Sequence, residues 1–178
     1  MKNNLKRGMI VKIYITSGTY DFLIKIKHKH SNEIMLLMQN NENTVLIHES
    51  ERKTVFSMPR SFEVIESFGL LNQNAEYAVM TNIPLSEEEI PLFEYRFKNS
   101  HALLQNQPGF IALRILRPLK ANMYVILTLW QSEKSFKDWQ TTPSYQSFFQ
   151  DTNSASKSLH LFSGDSFTKY YFITKEEK

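Results

Sequence analysis

Residues 93–139, FEYRFKNSHALLQNQPGFIALRILRPLKANMYVILTLWQSEKSFKDW, constrain the fold more than any other part of the chain. Ile90, Phe93, Phe97, His101 and Leu104 follow helical spacing, and Pro108-Gly109 supplies a turn. FIALRILRP and MYVILTLW then read as strands long enough to pair antiparallel across LKAN. SEKSFKDWQ opens a second helix. A chain that orders helix, strand, strand, helix with a turn signal at each joint has few ways to bury its apolar faces.

The flanking segments extend that order. EYAVMTN (76–82) reads as a strand, 86–105 as one helix with capping-box spacing between Ser86 and Glu89 or with Pro91 as its first helical position, and FTKYYFITK (167–175) as a closing strand. SYQSFFQ continues the helix after Trp139 or adds another beyond Pro143. The first half approximates the same order. Its elements are a strand at 11–16, a helix at 20–30, strands at 33–39 and 44–50, a short strand at 54–59, and a helix marked by Phe62, Val64 and Ile65 that stops near Gly69. Internal duplication is the simplest physical account. The expected class is α+β: two fused ferredoxin-like (βαββαβ) halves, 1–70 and 71–178. They form a pseudo-dimeric, barrel-like antiparallel sheet with flanking helices, the first half mimicking a partner subunit and leaving the protein a monomer. DTNSASKSLHLFSGD (151–165) is polar and rich in small residues, as expected of a mobile surface loop.

Composition narrows the function classes. A net charge of +3, with acidic and basic residues interleaved, gives no support to nucleic-acid binding. The absence of cysteine excludes disulfides, thiolate metal ligands and a Cys nucleophile. The start is basic and then apolar, but Lys12 interrupts it and no cleavage site follows, so it does not read as a signal peptide. No run approaches the roughly 20 apolar residues that span a bilayer, so membrane insertion is not expected and a cytoplasmic location is. There is no Gly-rich phosphate loop, HExxH or GxSxG. His28 and His30 point about 200° apart on a helix and read as a solvated basic end.

The ordered set TN (81–82), FEYRFKN (93–99), PGF (108–110), LRILRP (113–118) and LTLWQSEKSFKDW (127–139) resembles the antibiotic-biosynthesis-monooxygenase family, and within it the long single-chain form of the Isd-type haem-degrading enzymes. The resemblance implies a haem that serves as substrate and cofactor, an external electron donor, and a cleft between the helices and sheet of the second half. In that reading Asn82 orients oxygen and Trp139 distorts the porphyrin. Phe97, Tyr145 and Phe149 wall the cleft, and Arg96 meets the propionates. Phe149 stands where the family has its iron-ligating histidine, and a phenyl ring cannot ligate iron. The axial ligand is then missing, replaced by His101 on the inward face of the 86–105 helix, or supplied by water or an exogenous base; His160 lies in the polar loop.

Each of these residues also has a plain structural reading. Asn82 caps a strand-to-helix turn, Trp139 and Trp130 pack in the core, and His101 is a locally satisfied core residue. Two other functions follow from the same resemblance: a non-enzymatic signalling or binding role, as in TRAP-type signal-transduction proteins of the same long form, and cofactor-free oxidation of a quinol-like aromatic.

Overall fold

The computed structural model describes residues 9–71, 74–149 and 165–175. In chain order they form β1 (Lys12–Gly18), α1 (Tyr20–Lys29), β2 (Ile34–Gln39), β3 (Thr44–Ser50), β4 (Arg60–Phe68) and β5 (Tyr77–Pro84). Then come α2 (Ile90–Phe97), a 3₁₀ turn (Ser100–Leu103), β6 (Phe110–Pro118), β7 (Met123–Trp130), α3 (Glu133–Gln140), α4 (Pro143–Phe149) and β8 (Phe167–Ile173).

The strands close into one antiparallel barrel in the order β1-β3-β2-β8-β5-β7-β6-β4. This order contains the same figure twice. Within the first half it runs β4-β1-β3-β2 and within the second β8-β5-β7-β6, so in each half the fourth strand lies beside the first, the first beside the third, and the third beside the second. That is the ferredoxin-like sheet. The halves meet along β4–β6, in register from Phe62↔Pro118 to Phe68↔Leu113, and along β2–β8, where among the described residues Met38↔Ile173 and Gln39↔Phe172 pair and the Thr174 N–H donates to the Leu37 carbonyl. Closure leaves no strand edge open to another chain.

Side-chain alternation divides the core into three parts. Inward rows from both halves, including Ile13, Met38, Ile47, Met80 and Leu127, fill the barrel. The outer face of the second half buries an aromatic layer under α2, α3 and α4. The outer face of the first half carries α1 and Phe56.

The first half departs from expectation in two places. Residues 54–59 form no strand, and 60–68 are β4, not a helix. The reason is a bulge between Val64 and Glu66 in the β4–β6 register. It breaks the two-residue alternation, so Phe62 and Val64 face the barrel while Ile65 and Phe68 pack on the outer aromatic layer. Apolar residues so spaced imitate a helical period. This half therefore lacks a second helix among its described residues. The irregular segment 51–59 lies there, with Phe56 7% exposed. It is held by buried His48, whose Nδ1 is 3.0 Å from Thr54 Oγ1 and whose Nε2 is 3.0 Å from Glu33 Oε2.

The expected 86–105 helix is also interrupted. Pro91 lies at the start of α2, which ends at Phe97; Asn99 then takes a left-handed φ of 62° and sends the chain into the 3₁₀ turn. Residues 144–149 do form a helix of their own, begun by Pro143, whose missing N–H costs nothing at that position. The loop expected at 151–165 lies outside the described residues apart from Asp165, as does His160.

Inside the barrel, Arg114 of β6 is 4% exposed. Its Nε and Nη2 donate to the two Glu49 oxygens at 2.5 and 3.0 Å, and its Nη1 donates to the carbonyls of Phe68, Gly69 and Leu113. Glu49 belongs to β3, so this ion pair crosses from one half to the other.

Candidate functional site

The aromatic layer of the second half begins with two local devices. Ser132 caps α3, its hydroxyl accepting from the Ser135 N–H at 3.1 Å. Gly109 of the Pro-Gly turn has φ 77°, and a Cβ there would collide with Ser135. The turn thus needs glycine twice over, for its backbone angle and for the close seat of the first turn of α3. That seat brings Phe136 and Trp139, one helical turn apart, onto β7.

Trp139 is 2% exposed. Its ring lies 5.1 Å from Trp130, 4.9 Å from Tyr145, 5.6 Å from Phe148 and 6.2 Å from Phe149. Its indole N–H donates to Ser144 Oγ at 3.0 Å, and that hydroxyl donates to the Leu103 carbonyl. Phe148, 2% exposed, continues the stack to Phe97 at 5.3 Å. Arg96 donates from Nη2 to the Phe148 carbonyl at 3.3 Å, with its guanidinium 5.6 Å from the Phe97 ring centroid. Phe97, Trp139, Tyr145, Phe149 and Arg96 therefore do come together, but around Phe148. Sequence reasoning passed over this residue; the apolar pair Phe148-Phe149 on a short helix was the available signal.

Asn82 does not join them. On β5, Tyr77, Val79 and Ile83 face the helices, whereas Ala78 and Met80 face the barrel. Asn82 continues the inward row, 3% exposed, its Nδ2 donating to the Met80 carbonyl at 3.2 Å. The expected convergence of Asn82 with Trp139 and Phe149 is thus corrected by strand parity. The residue facing the helices at that level is Thr81, whose hydroxyl meets Thr168 at 3.2 Å.

His101 is likewise not on the inward face of a continuous helix. From the 3₁₀ turn its ring stacks on Phe68 at 5.4 Å, and its Nδ1 is 2.7 Å from Glu66 Oε1. Both partners belong to β4, so the histidine pins the turn to the other half.

Beside it, α2 is fastened to the sheet by a charged network. Arg117 donates to both Glu94 oxygens at 2.7 Å and to Glu63 at 3.0 Å, and the Tyr124 hydroxyl donates to Glu94 at 2.6 Å. The Arg117 guanidinium holds the Glu94 carboxyl below its ordinary 4.5, against burial and helped by Tyr124. Burial, reinforced by Glu94, pushes the Tyr124 phenol up to about 12. A carboxylate whose folded pKa is depressed adds stability above its unfolded pKa and loses it as pH falls through the folded value. Glu94→Gln should therefore cost about 1–2 kcal/mol at neutral pH, with the gap to wild type closing in acid as the folded carboxyl takes up its proton. Urea unfolding at neutral and acid pH checks this; a gap of unchanged width in acid would refute it.

These features define an αβ-barrel protein with one aromatic, helix-covered face, and known proteins resemble it there. Residues 76–151, in the second half of the chain, match the family model for antibiotic biosynthesis monooxygenases. Among curated relatives, the signal transduction protein TRAP of Staphylococcus epidermidis is 27% identical over 77% of this chain and 81% of its own length. A heme-degrading monooxygenase of Listeria monocytogenes is 26% identical over 74% of this chain and 78% of its own. Among solved structures, that of a major regulator of staphylococcal pathogenesis superimposes with a TM-score of 0.79 at 25% identity, covering 92% of this chain and 99% of that one.

A haem in the aromatic cleft does not fit the residues as they lie. The resemblance puts the iron-ligating imidazole at Phe149, which has a phenyl ring instead, and no described histidine lies in ring contact with Trp139. Phe148 and Tyr145 are both in ring contact with Trp139, which leaves its indole covered rather than open to a planar ligand.

Proposed function

We propose that this protein is a non-enzymatic member of the monooxygenase-domain group, a binding or signalling module of the TRAP type that does not degrade haem. The observation that carries this reading is the closure of Phe148 over Trp139, with Asn82 on the opposite face of the sheet. A haem-degrading site needs an iron ligand, an oxygen-orienting group and room for the macrocycle in one place. Here the ligand position holds a phenyl ring, the amide faces the barrel, and the room is occupied. The closed barrel, with each half covering the other's strand edges, supports a monomer.

A haem-degrading monooxygenase is the second reading, favoured by Trp139 at the place the resemblance assigns it and by an identity to the Listeria enzyme nearly equal to that with TRAP. It requires α4 to swing away and uncover Trp139. A haem titration followed by absorbance separates the two. The proposal expects no saturable one-to-one spectrum and no reductant-dependent bleaching; stoichiometric binding followed by bleaching would establish the enzyme.

A further inference from the structure

The inward rows of four strands all change character at the same end of the barrel. On β5 the row runs Ala78, Met80, Asn82; on β8, Ile173, Tyr171, Lys169; on β1, Ile13, Ile15, Ser17; and on β4 it runs from Phe62 to Arg60. Polar residues are ordinary at a barrel mouth. Here, however, they surround a cavity of about 430 Å³ that reaches down to Met80 and Val45. A second, apolar groove of about 410 Å³ adjoins it, lined by Phe62, Pro118, Leu119 and Met123 among others. Arg60 lines both.

We propose that this mouth binds a small amphipathic carboxylate, its anionic group between Arg60 and Lys169 and its apolar body along Phe62, Pro118 and Met123. Charge complementarity selects the anion. The described residues lining the two spaces include Arg60, Lys169 and Lys120 and no carboxylate. Lys169 is already paired at 2.6 Å with Glu42 on the rim, whereas Arg60 has no ion-pair partner among the described residues and lies 5.7 Å over the Phe62 ring. A guanidinium stacked on a ring keeps its planar fork free for a carboxylate. The buried Tyr171 phenol faces the same cavity. Burial pushes its pKa up, with Lys169 and Arg60 opposing, so the hydroxyl stays protonated and able to donate. The apolar groove selects the second half of the ligand, because a fully hydrated anion such as acetate would leave it unfilled.

Calorimetric titration of the full chain with decanoate, decanol and acetate tests this. Decanoate is expected to bind one-to-one, with decanol and acetate each weaker by about tenfold or more, the value of one good charge-assisted contact or of a buried tail. Arg60→Gln should weaken decanoate about tenfold and leave decanol unchanged, and Arg60→Lys should recover part of the loss. Arg60 is exposed, so these variants should fold. In ¹⁵N spectra, the Asn82 side-chain amide should shift on binding and the Trp139 indole should not. The proposal fails if decanoate does not bind, if decanol binds as tightly, if Arg60→Gln has no effect, or if the Trp139 signal moves. It stands apart from the haem question, since a positive haem titration would leave the decanoate result unaltered.

Discussion

Phe148→Ala combined with Phe149→His is expected to bind haem at least about a hundredfold more tightly than the wild-type chain, and Phe149→His alone to gain little. The family resemblance by itself points to the single change, since it puts an imidazole where the family has its iron ligand. The packing around Trp139 is the reason to expect more to be needed. Phe148 touches Trp139 at 5.6 Å and Phe97 at 5.3 Å, so it covers the indole. Both conditions, a ligand and a vacancy, must be met together, and the effect should be strongly non-additive. Phe148→Ala also removes a fully buried ring, at an expected cost of about 3–5 kcal/mol. Titrations therefore need to be run well below the melting temperature, with circular dichroism confirming the fold. Equal gains from the double variant and from Phe149→His would mean that Phe148 does not block the cleft. No gain from either would mean that this face does not accommodate haem even when opened.

The largest expected loss of stability comes from Arg114→Ala, at about 3–5 kcal/mol. Arg114 gives Glu49 both of its side-chain contacts, at 2.5 and 3.0 Å, and serves three carbonyls besides. Removing it leaves a carboxylate side chain that is 11% exposed facing an uncompensated interior. Most of the cost is that stranded charge and those unserved carbonyls, not the worth of the pair. Glu49→Gln added to Arg114→Ala should then recover part of the loss, and Arg114→Lys should fail to restore it, because an ammonium cannot reproduce the bidentate fork. Urea denaturation of the four proteins decides the matter. A single-variant loss below about 1 kcal/mol would mean that water replaces the guanidinium without penalty.

The second half of this fold was legible in the sequence because its strands alternate cleanly and its turns carry Pro, Gly and Ser where geometry requires them. The first half was less so. RSFEVIESF holds a bulge, and a bulge converts a two-residue rhythm into one that resembles a helix; only pairing with β6, far away in sequence, reveals it. The helix expected over 86–105 failed for a different reason: Asn99 can enter the left-handed region without help from glycine. The candidate site was half legible. The family resemblance grouped Trp139, Tyr145, Phe149 and Phe97, and these do lie together. It did not report that Asn82 falls on the other side of β5, which is a matter of strand parity set by Tyr77 and Val79, nor that the neighbour of Phe149 fills the cleft.

The two seams of the barrel are unequal, and this has a consequence for how such a chain can change over time. In a symmetric pair of identical subunits the two seams are one seam written twice, so every substitution alters both. Once the halves share a chain, each seam is encoded separately. The long β4–β6 junction can then hold the halves together while β2–β8 thins to two residue pairs among the described residues. The same freedom extends to the outer faces: one keeps its aromatic layer under three helices, while the other makes do with α1 and a loop. A fused pair can thus specialise one face and let the other serve as scaffold, a division of labour closed to the dimer.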